Sequence, residues 1–184
     1  NLIKDHSDIP DEVVTLAKTQ PYEVHIKKCY ICGYDQVRVF VPIEEAYTED
    51  WGAGFFPVFQ PEGGYQFWDF LRTMVSICPS CLFASTDPKD FSKKVIHSIF
   101  PYQNDAKKVL GQGIAARKRM VERDHNQMVH IFDKASRTHE ETITTLELAE
   151  KCANGLAQGN KKGIYAQIAL CRLYIGVLNR KRLQ

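Results

Sequence analysis

Four of the six cysteines stand in two C-x-x-C pairs, Cys29 with Cys32 and Cys78 with Cys81. Two residues between the cysteines of a pair let one tight turn present both sulfurs to the same ion. Two such turns, called here the first and second knuckle, supply the four soft ligands of a tetrahedral structural zinc site. Gly33 follows the first pair, where a small residue relieves crowding. We therefore predict one structural Zn²⁺ bound by these four cysteines.

The gap between the two pairs is long, with 45 residues between Cys32 and Cys78, against about 15–20 in a compact zinc ribbon. The entropy of loop closure grows only logarithmically with length, so an insertion of this size is compatible with one shared ion. Three alternatives stay open: redox-active dithiols, disulfides in an exported protein, and unpaired buried thiols. The remaining cysteines, Cys152 and Cys171, lie on apolar helix faces and are predicted core residues.

Catalytic constellations are missing from the sequence. Four cysteine ligands leave no coordination position for water or substrate, which a catalytic zinc requires. His125 and His130 are five residues apart, so they lie on different faces of a helix and do not form a two-histidine metal site. The sequence contains no phosphate loop, nucleotide fingerprint or nucleophile elbow. We predict that the protein is not an enzyme and has no catalytic residues; the enzyme-class alternative is a thiol oxidoreductase that uses the C-x-x-C pairs.

The elements around the first knuckle have strand patterns. Tyr22–Lys27 alternates apolar and polar side chains, as a half-buried strand does, and Val37–Val41 predicts a second strand. Strand, knuckle and strand together are typical of a zinc hairpin. Residues 47–70 are rich in aromatic and turn residues, and we predict a long loop whose aromatic side chains anchor it in the core. The alternative is a surface that binds a ligand or partner.

From Pro101 onward, helix formers replace aromatic residues. Apolar residues recur at spacings of three, four and seven, which predicts helices over about residues 104–136, 139–158 and 161–182. Thr138–Glu141 has the sequence of a capping box for the second helix. The last two helices have the size of a tetratricopeptide pair, although a single pair does not establish a repeat array.

We therefore predict an α+β fold with a boundary near residue 100. Residues 1–100 form a small zinc-knuckle, ribbon-like unit with short antiparallel strands and an aromatic-rich insertion. Residues 101–184 form a three-helix, tetratricopeptide-like unit.

The composition is that of an ordinary soluble globular protein, with 184 residues, 44% apolar and 25% charged. A net charge of +2 gives no strong attraction to nucleic acid or to an anionic membrane. Basic residues cluster at Arg117–Arg119, with Arg123 close by, and at Arg180–Arg182. Solvated helix faces account for both clusters, and a nucleic-acid-binding adaptor is the competing hypothesis. No apolar run approaches the ~20 residues of a membrane span, and paired C-x-x-C turns favour a reducing, cytoplasmic location.

Both knuckles resemble those of the bacterial domain of unknown function 2225 family. The resembling stretches are Lys28–Gly33, with the sequence K-C-Y-I-C-G, and Ile77–Ser85, with the sequence I-C-P-S-C-L-F-A-S. Tyr30 replaces the proline that is usual in this family, and Leu82 replaces the usual glycine. The resemblance implies metal binding and no known activity.

The resemblance continues beyond the knuckles. Asp90 and Phe91 stand where the family has an acidic-aromatic patch, and Ala166–Tyr174 is similar to its Ala/Leu/Tyr-rich final helix. Our own hypothesis, beside this resemblance, is a non-enzymatic, zinc-stabilised module of bacterial type in which the helical unit or the aromatic loop binds a protein partner.

Overall fold

The computed structural model describes residues 20–50, 58–92, 103–124, 131–132, 134–158 and 163–182. The fold is α+β, with short antiparallel strand pairs followed by α-helices. The strands are β1 (Tyr22–Lys27), β2 (Val37–Pro42), β3 (Tyr47–Asp50), β4 (Val58–Pro61), β5 (Ser76–Ile77) and β6 (Ala84–Ser85). The helices are α1 (Gln103–Gln112), α2 (Ile114–Asp124), α3 (His139–Ala157) and α4 (Ile164–Arg182). Within the described residues, the strands pair as β1–β2, β3–β4 and β5–β6.

The hairpin predicted around the first knuckle is confirmed, since β1 and β2 pair with the knuckle between them. The half-buried character predicted for β1 is wrong, because Val24 and Ile26 are both exposed. In β2, by contrast, Val37 and Val39 are buried. Strand β2 therefore supplies the buried residues of this hairpin, whereas Val24 and Ile26 of β1 lie outside the core.

The insertion over residues 47–70 contains a hairpin, so the prediction of a loop is wrong there. Strands β3 and β4 pair in antiparallel register, with Tyr47 opposite Pro61 and Asp50 opposite Val58. The side chains of Tyr47 and Phe59 meet across this hairpin, with ring centroids 5.1 Å apart. Cross-strand aromatic contacts of this kind stabilise a short strand pair. Residues 51–57 of the predicted loop lie outside the described residues.

The single helix predicted over about residues 104–136 is broken at Gly113, which separates α1 from α2. Ile131 and Phe132 lie outside any α-helix, and residues 125–130 are outside the described part of the chain. The Arg117 guanidinium donates a hydrogen bond to the Leu110 carbonyl at 2.8 Å. This bond gives a carbonyl near the end of α1 a side-chain partner, as helix ends require.

The predicted capping box at the start of α3 is confirmed. The Glu141 amide donates to Thr138 Oγ1 at 3.2 Å, and the Thr138 amide donates to Glu141 Oε2 at 2.7 Å. Helix α3 packs against α4, α1 and β6, and Cys152 and Cys171 are buried in this core, as predicted. Among the helices that the structure describes, none combines the length and apolar character that crossing a bilayer needs.

The chain forms two compact units that do not coincide with a division at residue 100. One unit joins Val41–Phe70 to the stretch that ends at Glu23. The other joins Val24–Phe40 to the chain from Leu71 onward, so it contains both knuckles and the α-helices α1 to α4. The change of composition near residue 100 therefore marks where the α-helices begin, and the aromatic insertion belongs to a different unit from the knuckles.

Candidate metal centre and aromatic face

The first knuckle is a tight turn closed by two backbone hydrogen bonds. The Cys29 amide donates to the Tyr34 carbonyl at 2.7 Å, and the Gly33 amide donates to the Cys29 carbonyl at 2.7 Å. Gly33 has φ +87°, a left-handed conformation that glycine adopts without steric strain. The glycine that follows this pair in the sequence therefore fits the backbone of the turn without strain.

The second knuckle repeats the same hydrogen-bond pattern. The Cys78 amide donates to the Phe83 carbonyl at 2.8 Å, and the Leu82 amide donates to the Cys78 carbonyl at 2.8 Å. Leu82 has φ +56°, which costs about 1–2 kcal/mol for a residue with a Cβ atom. Its side chain is only 5% exposed, so apolar burial offsets that strain. The second knuckle therefore has the same turn geometry as the first, although Leu82 stands where the first has a glycine.

The four knuckle sulfurs form one compact cluster. Cys29 Sγ lies 3.7 Å from Cys81 Sγ, and Cys32 Sγ lies 3.5 Å from Cys78 Sγ. All four sulfurs are within 4.8 Å of one another. A tetrahedron of sulfurs about 2.3 Å from a central ion has edges of about 3.8 Å, whereas a disulfide needs about 2.05 Å. The structure thus brings the four predicted ligands together at the spacing of a tetrathiolate metal site, and no cysteine is in a disulfide.

Burial and hydrogen bonding set the charge of this cluster. Cys29, Cys78 and Cys81 are buried, and Cys32 is exposed. Hydrogen bonds from the thiols of Cys78 and Cys81 lower the pKa of Cys29 to about 4. The same hydrogen bonds raise the pKa of the two thiols that donate them. Without a cation, these hydrogen bonds therefore favour a thiolate at Cys29 and protonated thiols at Cys78 and Cys81, whereas a divalent cation allows all the ligands to ionise.

Two buried side chains from the helices contact the second knuckle. The Cys152 thiol of α3 donates to the Leu82 carbonyl at 3.6 Å and accepts from the Ala84 amide at 3.3 Å. Burial raises the pKa of Cys152, which keeps the thiol protonated as a donor. The Arg117 guanidinium of α2 donates to the Cys81 carbonyl at 3.1 Å. Because Arg117 is only 2% exposed, its assignment to a solvated helix face is wrong.

For the other basic residues and the two histidines named in the sequence analysis, the structure describes no contact with the metal cluster. Lys118 and Arg119 are exposed on α2, as a solvated helix face requires. His125 and His130 lie outside the described residues, and so do the side chains of Arg123, Lys181 and Arg182.

A second surface feature lies on the inserted unit, where five aromatic side chains form what is called here the aromatic face. Its members are Tyr47, Phe59, Phe67, Trp68 and Phe70. The ring centroid of Phe70 lies 4.5 Å from that of Tyr47, 4.6 Å from that of Phe59 and 4.8 Å from that of Trp68. These side chains line a shallow depression of about 160 Å³. Phe67 at its edge is 69% exposed, so part of this apolar surface is open to solvent.

The segment that carries the aromatic face is rich in negative charge. Residues 41–70 contain six acidic residues and no Lys, Arg or His. The acidic residues are Glu44, Glu45, Glu49, Asp50, Glu62 and Asp69. Burial, and after it the charges of Glu49 and Glu44, raise the pKa of Tyr47, so these carboxylates lie near the face. Sequence reasoning missed this feature because it considered net charge over the whole chain, and a count by segment would have found it.

No protein-family model, curated protein or solved structure matches this chain. The resemblance to the domain of unknown function 2225 family therefore stays a prediction that depends on the knuckle residues. The function of the protein has to follow from its sites, since a fold alone does not define one.

Proposed function

We propose that this protein is a non-enzymatic, zinc-stabilised module that binds a protein partner. The cluster of four cysteine sulfurs within 4.8 Å of one another carries the metal part of this function. Four thiolates are the donor set of structural zinc sites, and they leave no coordination position for water or substrate. The residues that would hold the ion are Cys29, Cys32, Cys78 and Cys81.

The position of the cluster between two small hairpins supports a structural role for the ion. The first knuckle joins β1 to β2, and the second joins β5 to β6. An isolated two-stranded hairpin is marginally stable in water. A shared ion would join these hairpins and contribute its binding free energy to folding. Both knuckles belong to the unit that contains the helices, so we expect that free energy to stabilise the helices too.

The aromatic face is the surface on which we place the partner. Exposed aromatic rings attract cations through their π faces and provide apolar area. The six carboxylates of residues 41–70, with no basic residue among them, are complementary to positive charge and disfavour an acidic partner. We therefore propose a positively charged protein segment as the partner.

Metal analysis of the purified protein tests the zinc site. We expect one zinc per chain and protection of the knuckle thiols from alkylation while the ion is bound. Removal of the ion with a chelator should lower the temperature at which helical circular dichroism is lost. Reversible dithiol–disulfide cycling in a protein that binds no metal would instead support the thiol oxidoreductase alternative.

A labelled peptide of alternating arginine and proline tests the aromatic face, since proline keeps it extended. We expect saturable binding, measured by fluorescence anisotropy, that weakens as the salt concentration rises. Phe67→Ala and the double variant Glu44→Gln/Glu45→Gln should each weaken binding without unfolding the protein, because all three side chains are exposed. Tyr165→Ala is the matched control, since Tyr165 is a 76% exposed aromatic residue on α4.

Three results would contradict the assignment of the aromatic face. They are equal binding of a peptide of alternating glutamate and proline, an unchanged affinity in Phe67→Ala, and a loss in Tyr165→Ala as large as that in Phe67→Ala. Labelled duplex DNA of random sequence should not bind. Salt-sensitive DNA binding that is lost in Lys118→Glu/Arg119→Glu would favour the nucleic-acid adaptor.

A further inference from the structure

Arg117 is a buried cation in direct contact with the second knuckle. It lies in the first turn of α2, where its amide donates to the Gly113 carbonyl at 2.9 Å. Its Nη2 donates to the carbonyls of Cys81 at 3.1 Å and Leu110 at 2.8 Å. Its Nε is buried and finds no hydrogen-bond partner in the described part of the chain. Two hydrogen bonds thus fix the position of the guanidinium, but its Nε–H group lacks an acceptor among the described residues.

The charge of Arg117 has no carboxylate partner among the described residues. A guanidinium stays protonated in proteins, so burial does not remove this charge. A buried charge needs an opposite charge nearby to offset its loss of hydration. The carbonyls that Arg117 contacts supply partial charges only. The cysteine cluster is a candidate for a full negative charge, because Cys81, whose carbonyl accepts from Arg117, also contributes a sulfur to that cluster.

Metal binding would create that negative charge. Four thiolates around a divalent cation have a net charge of −2, because each cysteine must lose its proton to bind the ion. Three of the four cysteines are buried, and the attraction between charges is stronger in such surroundings than in water. The guanidinium and the metal–thiolate centre would therefore stabilise each other.

Gly113 allows Arg117 to reach this position. A Cβ atom on Gly113 would lie 2.5 Å from Nη1 of Arg117, closer than atoms that are not bonded approach each other. The absence of a side chain at Gly113 thus leaves room for the guanidinium. A methyl group at this position would displace the guanidinium without removing its charge from the protein.

We infer that Arg117 is the buried counter-charge of the metal–thiolate centre, and that it couples metal binding to the packing of α2 on the second knuckle. This inference rests on the proposed metal binding. Because such coupling is reciprocal, Arg117 must raise the affinity for the metal by the same factor by which the metal strengthens the Arg117 contact.

Competition with a chromophoric zinc chelator measures the coupling. Arg117→Met removes the charge and keeps an unbranched apolar chain, so its zinc affinity should fall roughly 10–100-fold, as for other residues around metal ligands. Arg117→Lys keeps the charge and should retain most of the affinity. Gly113→Ala keeps Arg117 but displaces it, so we expect an intermediate loss; this variant also serves if Arg117→Met does not fold.

Arg137 provides the matched control, since it is also a buried arginine that donates to backbone carbonyls. Its Nη1 donates to Arg72 at 3.2 Å and Val75 at 3.0 Å, and its Nε donates to Ile131 at 3.3 Å. Arg137→Lys should lower the urea midpoint of the zinc-loaded and zinc-free protein alike. Arg117→Met should lower the midpoint of the zinc-loaded form more than that of the zinc-free form.

The outcomes separate this inference from the proposed function. A wild-type chain that binds no zinc would overturn both. Normal zinc binding with unchanged affinity in Arg117→Met, or an equal loss of stability in the two forms, would overturn the role of Arg117 and leave the zinc site standing. An affinity that falls as far in Arg117→Lys as in Arg117→Met would show that shape, and not charge, is what matters there.

Discussion

The two knuckles have the same backbone hydrogen bonds but different surroundings. Gly33 ends the first turn where a Cβ atom would meet nothing within 4 Å, and Cys32 of that turn is exposed. Leu82 ends the second turn with its side chain buried, and both Cys152 and Arg117 contact that turn. One local geometry is thus maintained in two ways, by a glycine that fits it without strain and by tertiary packing that offsets strain. Damage to the second knuckle should therefore affect the helices more.

The loss of a ligand from each knuckle gives the largest expected effects. We expect Cys81→Ser and Cys32→Ser both to weaken zinc binding by orders of magnitude, because each leaves three sulfurs. Water can reach the exposed position 32, whereas a serine at the buried position 81 has no water to replace the lost ligand. The helical circular dichroism signal of Cys81→Ser, at equal zinc concentration, should therefore melt at a lower temperature than that of Cys32→Ser.

The zinc-free forms of the two serine variants are the control for that comparison. Once the ion is removed, the difference in melting temperature between the two serine variants should shrink to the cost of burying one hydroxyl group. Equal melting temperatures for the two variants in zinc would show that the knuckles support the helices to the same extent. The two knuckles would then differ only in their solvent exposure.

Leu82 gives the next largest effect, since strain and burial oppose each other there. Removal of a buried leucine side chain typically costs about 2–5 kcal/mol, and relief of the left-handed strain returns about 1–2 kcal/mol. We expect Leu82→Gly to lose about 2 kcal/mol of the free energy of unfolding, measured with urea in excess zinc. Leu82→Ala should lose more, because alanine gives up the burial and keeps the strain. The reverse order would mean that position 82 is not left-handed in solution.

Local patterns in the sequence predicted the elements whose determinants are local. The strand at Tyr22–Lys27 and the capping box at Thr138–Glu141 follow from neighbouring residues, and both are confirmed. The two C-x-x-C spacings led to the four cysteines that the structure brings together. The hairpin within residues 47–70 was missed because turn residues conceal its two short strands, which depend on cross-strand aromatic contacts.

The role of Arg117 could not be predicted from local patterns. Its position falls in the apolar stripe between Leu110, Ile114 and Val121, where the spacing has a gap of seven residues. A charged residue in that gap was assigned to solvent because charged residues are rarely buried. Its burial depends on the second knuckle, more than 30 residues away in sequence. The break at Gly113 could not be predicted either, because a glycine within a helical pattern is usually tolerated.

Substitutions of Cys152 test how much the packing around the second knuckle contributes to the free energy of unfolding. Cys152→Ala leaves the Leu82 carbonyl and the Ala84 amide without their partner, so we expect a loss of about 1–2 kcal/mol in the free energy of unfolding. Cys152→Ser should recover part of this loss, because a hydroxyl group can donate and accept at the same place. Cys171→Ala removes a thiol that is equally buried but has no described contact with the knuckle. If Cys171→Ala lost as much free energy of unfolding as Cys152→Ala, Cys152 would stabilise the protein only through its apolar packing and not through its hydrogen bonds.

Gly33 gives the smallest effect and isolates the backbone of the first knuckle. An alanine there meets no atom, so the change in the free energy of unfolding should be the conformational penalty alone, about 1 kcal/mol. Gly163→Ala is the matched control, since Gly163 has φ +75° and also faces open space. Both variants should lose similar stability in urea, but only Gly33→Ala should weaken zinc binding, because only that turn carries ligands. Zinc affinity that is unchanged in Gly33→Ala would show that the first knuckle adapts freely, and the contrast with the rigid second knuckle would then be greater than the structure indicates.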